Sequence, residues 1–107
     1  MTFIDTKKIP AISRKPGWYG RQFDSPSMTF VHYDFDAGAS IHRHAHPQEE
    51  VWHILVGELE ISIGDETCRA GPGSVGIVPP NTEHEVKALT KGKAIVVDYP
   101  LRPLEQM

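Results

Sequence analysis

Residues 57–70 read GELEISIGDETCRA. From Leu59 to Ile63 apolar residues alternate with polar ones, the period-two pattern of a strand that buries one face. Gly64 and Asp65 have the composition of a two-residue hairpin turn, so the residues after them are expected to return as a second strand. This stretch predicts an antiparallel hairpin, and similar units extend from it in both directions.

Further strands are predicted on both sides of this hairpin, from short runs rich in β-branched and aromatic residues that end at glycine or proline. They cover residues 28–36, 40–45, 50–56, 74–78, 83–88 and 93–99. Together with the hairpin they make about eight short strands, spaced as in a sandwich or barrel. No window shows convincing helical periodicity. The predicted fold class is all-β.

The two ends of the chain are less regular. Residues 1–27 contain three prolines and two glycines around Trp18 and Tyr19. We interpret this segment as an extended arm, whose two aromatic side chains more often cap a core than bind a ligand. The predicted organisation is therefore an arm over 1–27, one barrel over 28–99 and a tail over 100–107.

Composition excludes several classes of function. The formal net charge is −3 and no basic run is present, so nucleic acid is not expected as a partner. No apolar stretch approaches membrane-spanning length, and the start lacks the apolar run of a signal peptide, so no membrane association and a cytoplasmic location are expected. The single cysteine, Cys68, allows no internal disulfide and is expected to be a small buried residue.

Histidines are concentrated in residues 38–53, which read GASIHRHAHPQEEVWH. His44 and His46 are two residues apart and would face the same way on a strand. Glu50 begins the next predicted strand after a turn at Pro47 and can fold back to that side, and His84 could complete the set from a neighbouring strand. Imidazole and carboxylate ligands suit one divalent transition metal (Fe, Mn, Ni, Cu or Zn). The absence of cysteine ligands argues against a closed structural zinc site.

An alternative ligand set uses His42, His44 and Gln48. We prefer His44, His46 and Glu50, because the alternative breaks the spacing to the following strand. In this interpretation His42 lies beside the metal or faces the substrate. Glu49 is expected on the solvated face, and His53, on an extended strand, is expected to point away from the metal.

These residues resemble the two sequence motifs of the cupin family, in its small single-domain form. The matching anchors of the first motif are Gly38, His44, His46, Glu50 and Gly57, and those of the second are Gly73, Pro79 and His84. Asn81 stands where the family usually has glycine, a mild departure because asparagine tolerates positive φ. Ala88 replaces an asparagine that is often found there.

The resemblance covers roughly residues 28–99. It implies a jelly-roll barrel (a double-stranded β-helix) with the metal near its mouth. Small cupins often form dimers through their N-terminal strands, so the resemblance also implies a homodimer with the 1–27 arm at the interface.

The resemblance implies a metal-dependent enzyme, either a dioxygenase or a Lewis-acid isomerase or lyase, acting on a small oxygen-rich molecule. His42 and Tyr33 are the candidate catalytic residues, and Trp52 and His42 the candidate pocket residues. The alternative is a metal-dependent module that binds or senses a small molecule without catalysis. A purely structural metal is a third hypothesis, disfavoured because four protein ligands leave coordination positions open.

Overall fold

The computed structural model describes residues 2–103. Within this range the chain forms ten strands and one short 3₁₀ turn, Thr6–Lys8. The strands are β1 Ile12–Lys15, β2 Trp18–Asp24, β3 Thr29–Phe35, β4 Ser40–His44, β5 Glu49–Val56, β6 Leu59–Ile63, β7 Glu66–Ala70, β8 Val75–Val78, β9 His84–Ala88 and β10 Gly92–Tyr99. No helix in residues 2–103 is long and apolar enough to cross a membrane. The all-β prediction is confirmed.

The strands form two antiparallel sheets. The larger has the order β1-β2-β3-β10-β5-β8 and the smaller has the order β4-β9-β6-β7. The hairpin predicted over residues 57–70 is β6 and β7, which pair from Leu59 with Ala70 to Ile63 with Glu66. Gly64 has a φ of 57° in the turn, a conformation that is costly for most other residues. The local pattern therefore determined this part of the smaller sheet.

The core lies between the two sheets and is aromatic at its centre. Trp18, Phe35 and Trp52 are each about 2% exposed or less. The ring of Trp18 packs within 6 Å of the rings of Tyr33, Phe35 and Trp52. Leu59, from the smaller sheet, is fully buried within the same cluster. These contacts tie β2, β3 and β5 to the opposite sheet.

The N-terminal segment departs from the expected arm. β2 pairs with β3 along its whole length, and β1 pairs with β2, so residues 12–24 belong to the larger sheet. This accounts for ten strands in place of about eight. The prolines had suggested an irregular segment, but Pro16 lies in the turn between β1 and β2, where Gly17 has a φ of 82°. Prolines between strands do not prevent a sheet.

The expectation that Cys68 is buried is also corrected. Cys68 is exposed although it lies directly opposite the buried Ile61, because β7 is the edge strand of the smaller sheet. Within the segment predicted as a tail, Arg102 is only 7% exposed. The remainder of the tail, residues 104–107, lies outside the described residues.

Replacing Trp18 tests whether β1 and β2 are integral to the barrel. We expect Trp18→Ala to lower the free energy of unfolding by about 3–5 kcal/mol, because it leaves a large cavity among three aromatic rings. Urea denaturation measures the change. Phe3→Ala is the control, since Phe3 is 86% exposed and should matter little. Equal effects of the two substitutions would contradict an integral N-terminal hairpin.

Candidate metal centre

The predicted ligands converge from three strands and one loop. His44 is the last residue of β4, His84 is the first of β9, and the two are paired in the sheet. Glu50 lies on the inward face of β5, where exposed and buried residues alternate. His46 follows β4 in the loop that leads to β5. Glu50, His84 and His46 are 2%, 1% and 8% exposed, and His44 is half-buried.

A backbone hydrogen bond joins the loop that carries His46 to the loop that leads to His84. The Asn81 N–H donates to the carbonyl of His46 at 2.8 Å. Asn81 has a φ of 59°, the conformation for which the family usually employs glycine. Asparagine at this position therefore keeps the loop geometry, and with it the position of His46.

Four polar side chains point at one small volume. The candidate ligand atoms of His44, His46 and His84 lie within 4.8 Å of one another. Glu50 Oε1 is 3.3 Å from His46 Nε2, and Glu50 Oε2 is 3.1 Å from His84 Nε2. The structure therefore brings together the four residues selected from the sequence.

The hydrogen bonds of the imidazole rings leave nitrogen lone pairs for a metal. The Nδ1 of His44 donates to the carbonyl of His42 at 2.8 Å, and the Nδ1 of His84 donates to that of Thr82 at 2.9 Å. Carbonyls only accept, so Nε2 is the free ligand atom in both neutral rings. His84 Nε2 and both ring nitrogens of His46 are buried without an aligned hydrogen-bond partner. Such orphaned atoms fit a divalent metal.

Glu50 is held by two further groups. The Trp52 indole N–H donates to Oε2 at 2.7 Å, and Nη1 of Arg102 donates to Oε1 at 3.1 Å. Burial by itself would raise the pKa of Glu50, but hydrogen bonding from His46, His84 and other polar neighbours outweighs it and keeps the pKa well below its usual range. Glu50 is therefore an anion and a competent ligand.

A second carboxylate, Asp98, lies beside Glu50. The two residues are paired across β10 and β5, and Asp98 is fully buried. Its Oδ2 is 3.7 Å from Nη1 of Arg102. Burial and the negative charge of Glu50 raise the pKa of Asp98 to about 8. In the metal-free protein this side chain holds a proton at neutral pH.

A narrow cavity opens beside the cluster. It is lined by three of the ligands, His44, Glu50 and His84, and by Lys15, Tyr33, Ile41, Trp52, Val86, Val96 and Arg102. Its open volume is about 20 Å³. That is room for about one water molecule. The Tyr33 ring stacks on Trp52 at 6.0 Å. Burial raises the pKa of the Tyr33 hydroxyl to about 12, so it can donate a proton or hydrogen bond but does not act as a base near pH 7.

The remaining candidates lie elsewhere. The His42 side chain is exposed, and what it offers the site is the backbone carbonyl that orients His44. Gln48 is buried and donates to the carbonyl of Leu101 at 3.2 Å, a contact that does not favour the alternative ligand set. Glu49 and His53 are exposed, as expected for side chains on the outer face of β5.

Three residues of the site were missed. Asp98 had a detectable signal, since this carboxylate directly follows the apolar run of residues 94–97 within a predicted strand. Arg102 gave none, because it lies beyond the last strand in an unpatterned segment. Lys15 gave none either, because the segment around it was not interpreted as a strand.

The chain resembles known proteins in sequence and in fold. The family described as the cupin domain matches residues 31–100, well over half of the sequence. The chain belongs to the cupin family. An uncharacterized protein of Streptomyces coelicolor is 31% identical over 73 residues, which cover 68% of this chain and 70% of that protein.

Solved cupin structures superpose closely on this one. KdgF from Halomonas sp. has a TM-score of 0.88 at 24% identity, over 94% of this chain and 96% of that one. Oxalate decarboxylase of Bacillus subtilis, an enzyme with Mn(II) centres, has a TM-score of 0.84 at 20% identity. That match covers 97% of this chain and 30% of the decarboxylase. At such identities the likeness establishes the fold alone.

Metal analysis of variants tests the ligand set. We expect His84→Ala to reduce the bound metal sharply in protein purified without chelators, because it removes a buried imidazole ligand from the set. His53→Ala and His42→Ala should retain wild-type stoichiometry by elemental mass spectrometry. Unchanged metal in His84→Ala, or loss in His42→Ala, would contradict the assignment.

The pH dependence of stability should reverse when metal binds. Burial by itself would lower the pKa of His84. The hydrogen bond and negative charge of Glu50 outweigh burial and raise the pKa of His84 above 6.5. A raised folded pKa gives stability that is complete below the unfolded pKa and is lost as the pH rises. The raised pKa of Asp98 acts in the same direction up to about pH 8. The metal-free protein should therefore lose stability from about pH 6.5 to about pH 8.

Bound metal requires neutral histidines, so the stabilisation it provides should grow over the same interval. Urea midpoints with a chelator and with added metal measure both trends. Asp98→Asn should flatten the metal-free slope. A metal-free midpoint that rises across this interval would contradict the assigned pKa directions.

Proposed function

We propose that this cupin is a metal-dependent enzyme of the Lewis-acid isomerase or lyase class, acting on a small oxygen-rich molecule. His44, His46, Glu50 and His84 would hold one divalent transition metal. The observation that carries the proposal is the convergence of these side chains, with buried ring nitrogens that have no aligned hydrogen-bond partner. Four protein ligands leave open coordination positions, which a substrate oxygen can occupy.

The bound metal would supply positive charge that polarises a carbonyl or enolate oxygen. The side chains of the protein do the remaining work. Arg102 and Trp52 hold the Glu50 carboxylate in place, and the backbone carbonyls of residues 42 and 82 fix the rings of His44 and His84. Such outer contacts orient ligands and exclude water from the site.

Proton transfer is the chemistry that the surrounding groups favour. The Tyr33 hydroxyl keeps its proton at neutral pH and lines the cavity beside the ligands. This supports one of the two candidate catalytic residues, with the role of a proton or hydrogen-bond donor. His42 is exposed, which disfavours it as the second.

The ligand set leaves the metal open among Fe, Mn, Ni, Cu and Zn. The Mn(II) centres of the Bacillus subtilis decarboxylase make manganese a sensible first metal to test. The dioxygenase class, the binding or sensing module and the homodimer remain predictions from the sequence.

The proposed class can be tested by loading the protein with Mn(II), Ni(II) or Fe(II) and offering small diketones and hydroxyketones in D₂O. We expect catalysed exchange of the proton next to a carbonyl by NMR, without oxygen uptake. His84→Ala should abolish the exchange, and His53→Ala should preserve it. Oxygen uptake coupled to product would instead place the protein among dioxygenases. Saturable binding without exchange or oxygen uptake would favour the binding module.

Replacing Tyr33 tests its role as a donor. We expect Tyr33→Phe to lower the exchange rate about tenfold to a hundredfold, as for loss of an acid catalyst, with metal content unchanged. His32→Phe, on the opposite face of β3, is the matched control. Equal rates in Tyr33→Phe and the wild type would assign Tyr33 to packing alone.

A further inference from the structure

Lys15 reaches the metal cavity from a strand that carries none of the ligands. The turn at Pro16 and Gly17 places Lys15 directly opposite Trp18 in the β1–β2 pair. Residues directly opposite in an antiparallel pair point to the same face of the sheet. Trp18 is buried in the core, so the Lys15 side chain also faces the interior side.

The pairing of β1 contains a bulge that keeps this arrangement. Ile12 pairs with Gly20, and Lys15 pairs with Trp18. The interval between the two pairs is therefore three residues on β1 and two residues on β2. The extra residue lets Ile12 and Lys15 both face inward although they are an odd number of residues apart. Lys15 lies half-buried at the mouth of the cavity, which it lines together with His44 and His84.

No carboxylate neutralises this lysine within residues 2–103. Arg21, Arg43, Arg69 and Lys93 each have an acidic partner within 4.0 Å. Lys15 has none, like exposed lysines such as Lys87, and what sets it apart is that it is half-buried and lines the cavity. Arg102, the other cation that lines the cavity, already contacts Glu50 and Asp98. A half-buried ammonium without a counter-charge favours an anionic ligand.

We propose that Lys15 binds a carboxylate group of a small organic anion whose other oxygen donors reach the metal held by His44, His46, Glu50 and His84. This inference rests on the proposed function and narrows its substrate class to carboxylates. An ammonium–carboxylate hydrogen bond is among the stronger polar contacts that a protein makes with a ligand.

Calorimetric titration of the Mn(II)-loaded protein with malonate tests Lys15. We expect Lys15→Met to weaken malonate binding by about tenfold or more, the loss of one hydrogen bond to a charged group. Lys15→Arg should restore most of the affinity.

Lys87→Met is the matched control, because Lys87 is an exposed lysine on β9. Malonamide, the neutral diamide, should bind wild type and Lys15→Met alike. Lys15→Gln is a second neutral variant if Lys15→Met folds poorly.

Metal content, measured on every sample, separates this inference from the proposed function. Full metal with equal malonate affinity in wild type and Lys15→Met overturns the role of Lys15 alone. So does a wild type that binds no malonate. Wild-type protein that contains no metal overturns the proposed function. The malonate titrations of that protein and of Lys15→Met then still show whether Lys15 contributes to malonate binding. Tighter, Lys15-dependent binding of inorganic phosphate overturns the carboxylate assignment.

Discussion

The carboxylate of Glu50 is almost completely removed from water, and the arrangement of the whole site depends on how that charge is compensated. An isolated buried carboxylate costs several kcal/mol even after the protein relaxes around it. Here Trp52 and Arg102 donate hydrogen bonds to Glu50, and His46 and His84 lie within 3.3 Å of it. These groups come from β5, the segment after β10, the β4–β5 loop and β9. One charge therefore fixes the relative positions of four separate parts of the chain.

Some of the residues around Glu50 could be predicted from the sequence, and others could not. His44, His46, Glu50 and His84 were identifiable because strand alternation and the spacing between glycines fix their faces. Asn81 was interpretable for the same reason, since its place in the motif demands positive φ. These are local properties of short sequence windows, and the hairpin over residues 57–70 was predictable on the same basis.

Lys15 and Arg102 depend instead on long-range pairing. The face taken by Lys15 is set by a turn containing proline and by its partner Trp18, and a proline-rich window carries little strand signal. Arg102 lies in a segment without periodicity and is recruited by the charge of Glu50, 52 residues earlier in the chain. The histidine count was equally uninformative by itself. His42 and His53 are exposed, because strand geometry and not composition decides which imidazoles meet.

The separation of the β1–β2 hairpin from the ligand-bearing strands has an evolutionary consequence. The residues that contact the Glu50 carboxylate depend on one another, because a substitution of one changes the environment of the others. Lys15 forms no ion pair with any of them. The identity of the side chain at its position can therefore drift among descendants while the contacts that hold Glu50 are inherited intact. A cupin barrel of this kind can alter one edge hairpin without disturbing the residues that converge on its buried charge.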